Sequence, residues 1–176
     1  GFWKFVQYYF FKQWLALKQY ANQNGIEIIG DIPIYVAQDS SDVWSNPDDW
    51  QLDENLDPIR VAGCPPDAFA KTGQLWGNPI YNYDKMEQEG FSWWLDRIKE
   101  SFKLYDIVRI DHFRGFEAYY AIPYGDPTAE FGTWVKGPGM KLFQRVKDVL
   151  GEVRIIAEDL GFLTPEVYQL LADTGY

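Results

Sequence analysis

Asp106-Ile107-Val108-Arg109-Ile110-Asp111 and Val153-Arg154-Ile155-Ile156-Ala157-Glu158 are short apolar runs, each closed by a carboxylic residue. Runs of this length, separated by a helix-length stretch, predict parallel β-strands joined by a crossover helix. The carboxyls of Asp111 and Glu158 would then stand at the C-terminal ends of neighbouring strands and face one cleft. Cleavage of a glycosidic bond needs such a pair, one group to attack and the other to donate a proton. Side chains alternate along a strand, so Arg109 and Asp111 point the same way. The guanidinium favours an ionised Asp111, and that charge in turn raises the pKa of Glu158. An isolated Arg-x-Asp is more often a structural ion pair than a site.

Outward from these runs the chain alternates between helix and strand. Residues 2–23 predict a helix with Trp3, Val6, Phe10, Trp14 and Leu17 on one apolar face, ended by Asn22, Asn24 and Gly25. Ile26 to Val36 predicts a strand that runs into a loop at Pro33. Residues 37–84, rich in Asp, Asn, Pro, Gly and Trp, have no visible period and predict a long functional loop within the domain. A helix is expected over 87–104, with Trp93, Trp94, Ile98 and Phe102 on its apolar side. A Gly- and Pro-rich loop over 114–138 and a helix over 139–150 follow, the latter capped by Gly151. Thr164-Pro165-Glu166 begins a last helix.

This order defines an α/β protein with parallel pairing, either a doubly wound sheet or a (β/α)8 barrel. No Gly-rich phosphate loop follows a strand, and polar residues at strand ends followed by long loops favour the barrel. A whole barrel takes about 250 residues. Only three strands are predicted, so residues 1–176 read as about three consecutive β/α units of a larger catalytic barrel, with the 37–84 loop inserted after the first visible strand.

Composition narrows the partners. The 176 residues carry 16 basic and 26 acidic side chains, a net charge of −10, which argues against nucleic acid and an anionic membrane surface. No run of about 18 apolar residues is present, so no membrane span is expected. The opening Gly-Phe-Trp-Lys-Phe does not resemble a signal peptide. Cys64 is the one cysteine, which excludes an internal disulfide and is compatible with a reducing, cytoplasmic setting. Asp48, Asp49, Asp53 and Glu54 read as a solvated loop. They lack the alternating Asp and Gly of a calcium loop, and no metal or cofactor is expected.

Four segments together resemble the 4-α-glucanotransferases, also called amylomaltases or disproportionating enzymes, which are relatives of the α-amylases. Arg109 to Phe116 (Arg-Ile-Asp-His-Phe-Arg-Gly-Phe) resembles their nucleophile segment and Ile156 to Gly161 their acid/base segment. Gly30 to Val36 resembles the end of their third barrel strand. Ala62 to Asp67, with Thr72 to Pro79, resembles the loop over their glucan groove. The resemblance implies a retaining transfer of α-1,4-glucan segments between malto-oligosaccharides, without a cofactor. It assigns Asp111 as nucleophile, Glu158 as acid and then base, and Arg109 as the residue that orients the nucleophile. Asp31, Tyr35, Asp67, Trp76 and Asn78 are expected to face the sugar. The family's third carboxylate belongs to a His-Asp pair on a later strand. The only histidine here is His112, so this stretch alone is expected to be inactive and to self-associate weakly through open sheet edges. The preference for a sugar acceptor over water comes from the resemblance alone. An α-amylase-like hydrolase and a non-catalytic glucan-binding module are the alternatives.

Some residues have two readings. Trp76 either stacks on glucose or pins its loop, and Asp31 either faces the sugar or caps its loop. Trp44 and Trp50 read as packing residues. His112 would point away from the cleft if strand geometry continued past Asp111, as a packed histidine outside catalysis.

Overall fold

The three apolar runs do form strands, and a second sheet accompanies them. The computed structural model describes residues 1–176 as α1 (Phe2–Gln23), β1 (Ile29–Ile32), α2 (Ser41–Ser45), β2 (Arg60–Cys64), β3 (Gln74–Pro79), α3 (Tyr83–Gln88), α4 (Ser92–Leu104), β4 (Ile107–Ile110), β5 (Ala118–Pro123), β6 (Thr133–Lys136), α5 (Met140–Leu150), β7 (Ile155–Ala157) and α6 (Pro165–Thr174), with 3-10 turns at Pro47–Asp49 and Phe113–Phe116. Strands β1, β4 and β7 pair in parallel, in that order. The chain is therefore a mixed α/β protein with a parallel sheet.

The alternation along β4 decides which side carries chemistry. Val108 and Ile110 are fully buried among Trp94, Ile98, Leu142 and Val146 of α4 and α5. Arg109 takes the opposite face, in register with Asp31 on one side and Ile156 on the other. That face is uncovered: Ile29 is 57% exposed and Ile156 42%. Gly30 is required on β1 because a Cβ there would lie 2.0 Å from the Tyr105 ring. Asp106 ties the N-terminal edge together, since its Oδ2 accepts from the Ile28 N–H at 2.8 Å and from Asn22 Nδ2 at 2.9 Å.

Two expected loops are not aperiodic. The 37–84 stretch supplies α2, β2 and β3, and the 114–138 stretch supplies β5 and β6. Together these strands form an antiparallel sheet in the order β3-β2-β5-β6. Gly63 sits where β3 and β5 both approach β2, and a Cβ there would meet Gln74 O at 2.2 Å and Ile122 Cδ1 at 2.5 Å. The sheet is attached to the segment after β4 by Arg114, whose guanidinium carbon lies 3.8 Å from the centre of the Trp134 ring.

The expected helix over 87–104 is broken. Gly90 and Phe91 take φ of +67° and +57°, ending α3 and starting α4. The apolar face expected on α1 exists but is not covered: no residue of that helix is buried. Its attachments come from its C-terminal half, where Trp14 Nε1 donates to Leu104 O at 2.8 Å and Lys18 Nζ to Tyr105 O at 2.8 Å. Asp49, expected in solvent, is 6% exposed because it pairs with Lys85 at 2.8 Å. Trp50 is buried as expected, whereas Trp44 is 85% exposed. Helix α2 has five residues, and Val43 is the one it buries. No helix is long and apolar enough to cross a membrane.

The insertion docks on α4 through aromatic rings. Tyr81 lies 5.7 Å from Trp50, 5.3 Å from Trp93 and 5.4 Å from Trp94, centre to centre. Its hydroxyl donates to Ile34 O at 2.6 Å. Arg97 Nη2 donates to Pro33 O at 2.6 Å, so the turn after β1 is held from behind by α4.

Candidate active site

Asp111 and Glu158 each lie just past the last residue of a strand, and the ladders still hold them. Asp111 N donates to Ile32 O at 2.9 Å and Glu158 N to Ile110 O at 3.0 Å. The Arg109 guanidinium lies among three carboxylates. Its Nη1 is 2.8 Å from Asp31 Oδ2 and 3.3 Å from Asp111 Oδ1, and its Nη2 is 3.5 Å from Glu158 Oε1. One fixed cation thus sits among three acidic side chains gathered into one corner.

The carboxyl groups differ in environment. The Glu158 side chain is 13% exposed, against 47% for Asp111 and 60% for Asp31. Burial raises the Glu158 pKa, and the neighbouring Asp111 adds to it. The His112 N–H and Arg109 oppose that rise. Desolvation, rather than the Asp111 charge that sequence suggested, is the larger cause.

His112 stands closer to the site than expected. Strand geometry stops at Ile110, and His112 turns left-handed at φ 50°. The turn aims its backbone N–H at Glu158 Oε2, 2.6 Å away. It also brings the imidazole against Trp76, with ring centres 4.9 Å apart and planes at 89°. Burial, helped by the Arg114 charge, pushes the His112 pKa down to about 4, so the ring is neutral. No sequence signal announces a left-handed histidine.

Of the residues expected to face sugar, Tyr35, Trp76 and Asn78 line one depression of about 160 Å3 with Asp111 and His112. Asp31 stands beside it through Arg109. Tyr35 is nearly buried and stacks on Tyr81. Asn78 Nδ2 is already committed to Val36 O at 2.9 Å. Asp67 is not brought to this depression. Its Oδ1 accepts from Phe69 N and Ala70 N, which caps the tip of the β2–β3 turn. Sequence reading missed Arg97, Tyr81 and Arg114, which shape the site from below through contacts far apart in the chain. A larger depression of about 570 Å3 between Tyr83, Gly139 and Gln169 lies away from the carboxylates.

A parallel sheet that gathers carboxylates at its C-terminal edge makes this a mixed α/β protein with its candidate site at the strand ends. The comparisons then specify it. The chain belongs to the 4-alpha-glucanotransferase family, whose model matches residues 1–176. It is 62% identical over 177 residues to the 4-alpha-glucanotransferase of Clostridium butyricum, covering 100% of this chain and 36% of that protein. It is 56% identical over 170 residues to that of Thermus thermophilus, covering 97% and 34%. Among solved structures, the amylomaltase from Streptococcus agalactiae in complex with acarbose superposes with a TM-score of 0.94 at 49% identity, covering 97% of this chain and 34% of that one. The chain thus spans about a third of the length of the relatives it matches.

Proposed function

We propose that this chain carries the nucleophile and the acid/base of a retaining 4-α-glucanotransferase, on three consecutive strands of a (β/α)8 barrel. The observation that carries this reading is the Arg109 guanidinium held among Asp31, Asp111 and Glu158 at the C-terminal edge of the parallel sheet. The uncovered face bearing Ile29, Arg109 and Ile156 suits a barrel interior, because parallel sheets are ordinarily covered on both faces. Asp111, exposed and paired with a cation, attacks the anomeric carbon of the donor glucan. Glu158, whose pKa burial and the neighbouring Asp111 raise, is the group placed to give a proton to the departing glycosidic oxygen. A glucosyl ester on Asp111 and a shortened glucan result. Glu158, now a carboxylate, takes the proton of an acceptor sugar hydroxyl as that oxygen displaces Asp111. Protons and bonds balance without a cofactor. Asp31 has carboxylate surface free for sugar hydroxyls, and Trp76 walls the pocket.

The test uses the full-length protein. Asp111→Asn removes the attacking charge and is expected to lower disproportionation of maltotriose at least about a thousandfold. Glu158→Gln is expected to be crippled except on donors whose leaving group departs without a proton. In a complex with acarbose, the two carboxyl groups are expected about 5–5.5 Å apart, against about 6.5–9.5 Å for an inverting enzyme. Near-normal transfer by Asp111→Asn would end the assignment. Products that are chiefly new reducing ends, rather than longer glucans, would favour hydrolysis.

A further inference from the structure

Beyond Ile32 the chain leaves the parallel sheet, yet its carbonyls stay occupied. Ile32 O accepts from Asp111 N, Pro33 O from Arg97 Nη2 at 2.6 Å, Ile34 O from the Tyr81 hydroxyl at 2.6 Å and Val36 O from Asn78 Nδ2 at 2.9 Å. The segment is held like a rail by donors that lie far away in the sequence. Arg97 is the charged donor among them and serves more than one position. Its Nη1 is also 3.2 Å from the Tyr81 hydroxyl and 3.5 Å from Ile34 O. A guanidinium suits this task because its donors are fixed in one planar fork. The indoles of Trp93 and Trp94 fix the fork in turn, with ring centres 5.1 and 5.2 Å from the guanidinium carbon.

What the rail carries connects it to the chemistry. Tyr35 stacks on Tyr81 and lines the carboxylate pocket beside Asp111 and His112. Ile34 packs on the turn after β4, where a Cβ added to Gly115 would lie 2.7 Å from Ile34 Cδ1 and 3.3 Å from His112 Cδ2. That turn presents the His112 N–H to Glu158 Oε2. The carboxylates take their cation from Arg109, so any influence of Arg97 passes through Ile34 and Tyr35. We propose that Arg97 is a positioning residue of the transfer reaction, which keeps the Pro33–Tyr35 turn against the His112 turn so that Asp111 and Glu158 hold their reacting geometry. A misplacement near 1 Å costs roughly a hundredfold in rate, so loss of the fork lowers kcat far more than it raises KM. This rests on the glucan-transfer reading of the carboxylate pocket.

The experiment measures maltotriose disproportionation by the full-length protein, with each variant assayed well below its own Tm so that the folded fraction is constant. Arg97→Lys keeps a cation beside the indoles but offers a point charge in place of a fork. Its kcat is expected to fall about tenfold, with KM changed less than about twofold. Arg97→Ala is expected to lose about a hundredfold in kcat. Arg97 lines a depression of about 750 Å3 that reaches the surface beside Ser92 and Asp96, so a small cation can enter where the side chain was. Methylguanidinium is expected to restore the kcat of Arg97→Ala at least about fivefold, and methylammonium, which has no fork, is not. If Arg97→Ala does not fold, the kcat and KM of Arg97→Lys decide. An unchanged kcat, or a rise in KM alone, would overturn the proposal and leave the carboxylate assignment intact. Equal rescue by the two cations would also overturn it, because charge and not the fork would then be at work. Absence of glucan transfer by the unsubstituted protein would overturn the reading beneath it.

Discussion

His112 links several features of the site in one residue. Its left-handed backbone points an N–H at Glu158, and its ring seals one side of Trp76. Its pKa, pushed down to about 4, makes a prediction with a definite sign. An unfolded histidine binds a proton near pH 6.5, the folded one only near 4, so between these values the unfolded state holds the extra proton. The stability tied to the neutral ring is therefore complete above about pH 6.5 and lost as the pH falls towards 4, by up to about 3 kcal/mol. Denaturant midpoints at pH 7 and 4.5 check this. His112→Asn, which tolerates the left-handed turn, should depend less steeply on pH. Identical slopes would mean that the ring protonates freely in the folded protein. Asp111, Arg109 and Glu158 were readable in the sequence because each ends, or alternates within, a strong apolar run. His112 was not, because local sequence pattern does not signal where a strand yields to a left-handed turn. Asp67 misled for a related reason: an Asx turn and a sugar ligand ask for the same residue type.

At the level of elements, β1, β4 and β7 were readable because parallel strands covered by helices are nearly continuous apolar runs. The strands β2 and β3 were hidden by their own composition, whereas β5 and β6 are short β-prone runs set among the Gly- and Pro-rich residues of 114–138. Arg60-Val61-Ala62-Gly63-Cys64 and Gln74-Leu75-Trp76-Gly77-Asn78-Pro79 carry glycine or proline, and β3 shows no clean alternation of burial. Gly63 looked like a loop residue but is a close-contact residue. Replacing it with alanine forces a methyl against Gln74 O and Ile122, an overpacking expected to cost about 2–3 kcal/mol. Urea denaturation of Gly63→Ala measures it, and a change below about 0.5 kcal/mol would mean that β3 can move aside. The same logic applies to Arg114, which is 3% exposed with Nε and Nη1 unpartnered. Its chief contacts are the Trp134 ring and Glu117, 4.0 Å away. Trp134→Ala should therefore lower stability by about 2 kcal/mol, the value of a desolvated cation–π contact.

For the molecule taken entire, α1 is the outstanding feature. Trp3 is 76% exposed, Phe5 60% and Tyr8 60%, so a row of large apolar side chains meets water. With β1 and β7 each offering an unpaired edge, the 176-residue chain on its own is expected to form dimers or larger species and to bind hydrophobic dyes. Light scattering decides, and a monodisperse monomer that binds no dye would show that these surfaces are less adhesive than their composition suggests. The α1 periodicity was readable but its burial was not, because amphipathic spacing says which face seeks cover and not what covers it. A different consequence attends the rings around Tyr81. Trp50 comes from the insertion, Trp93 and Trp94 from α4, with Trp93 and Trp94 5.2 Å apart at 88° and Trp50 and Trp93 5.5 Å apart at 82°. Indoles this close, held at fixed and nearly perpendicular angles, couple their electronic transitions and rotate polarised light in the near ultraviolet. The seating of the insertion on its helix thus carries a built-in optical signature, readable by circular dichroism without any attached label.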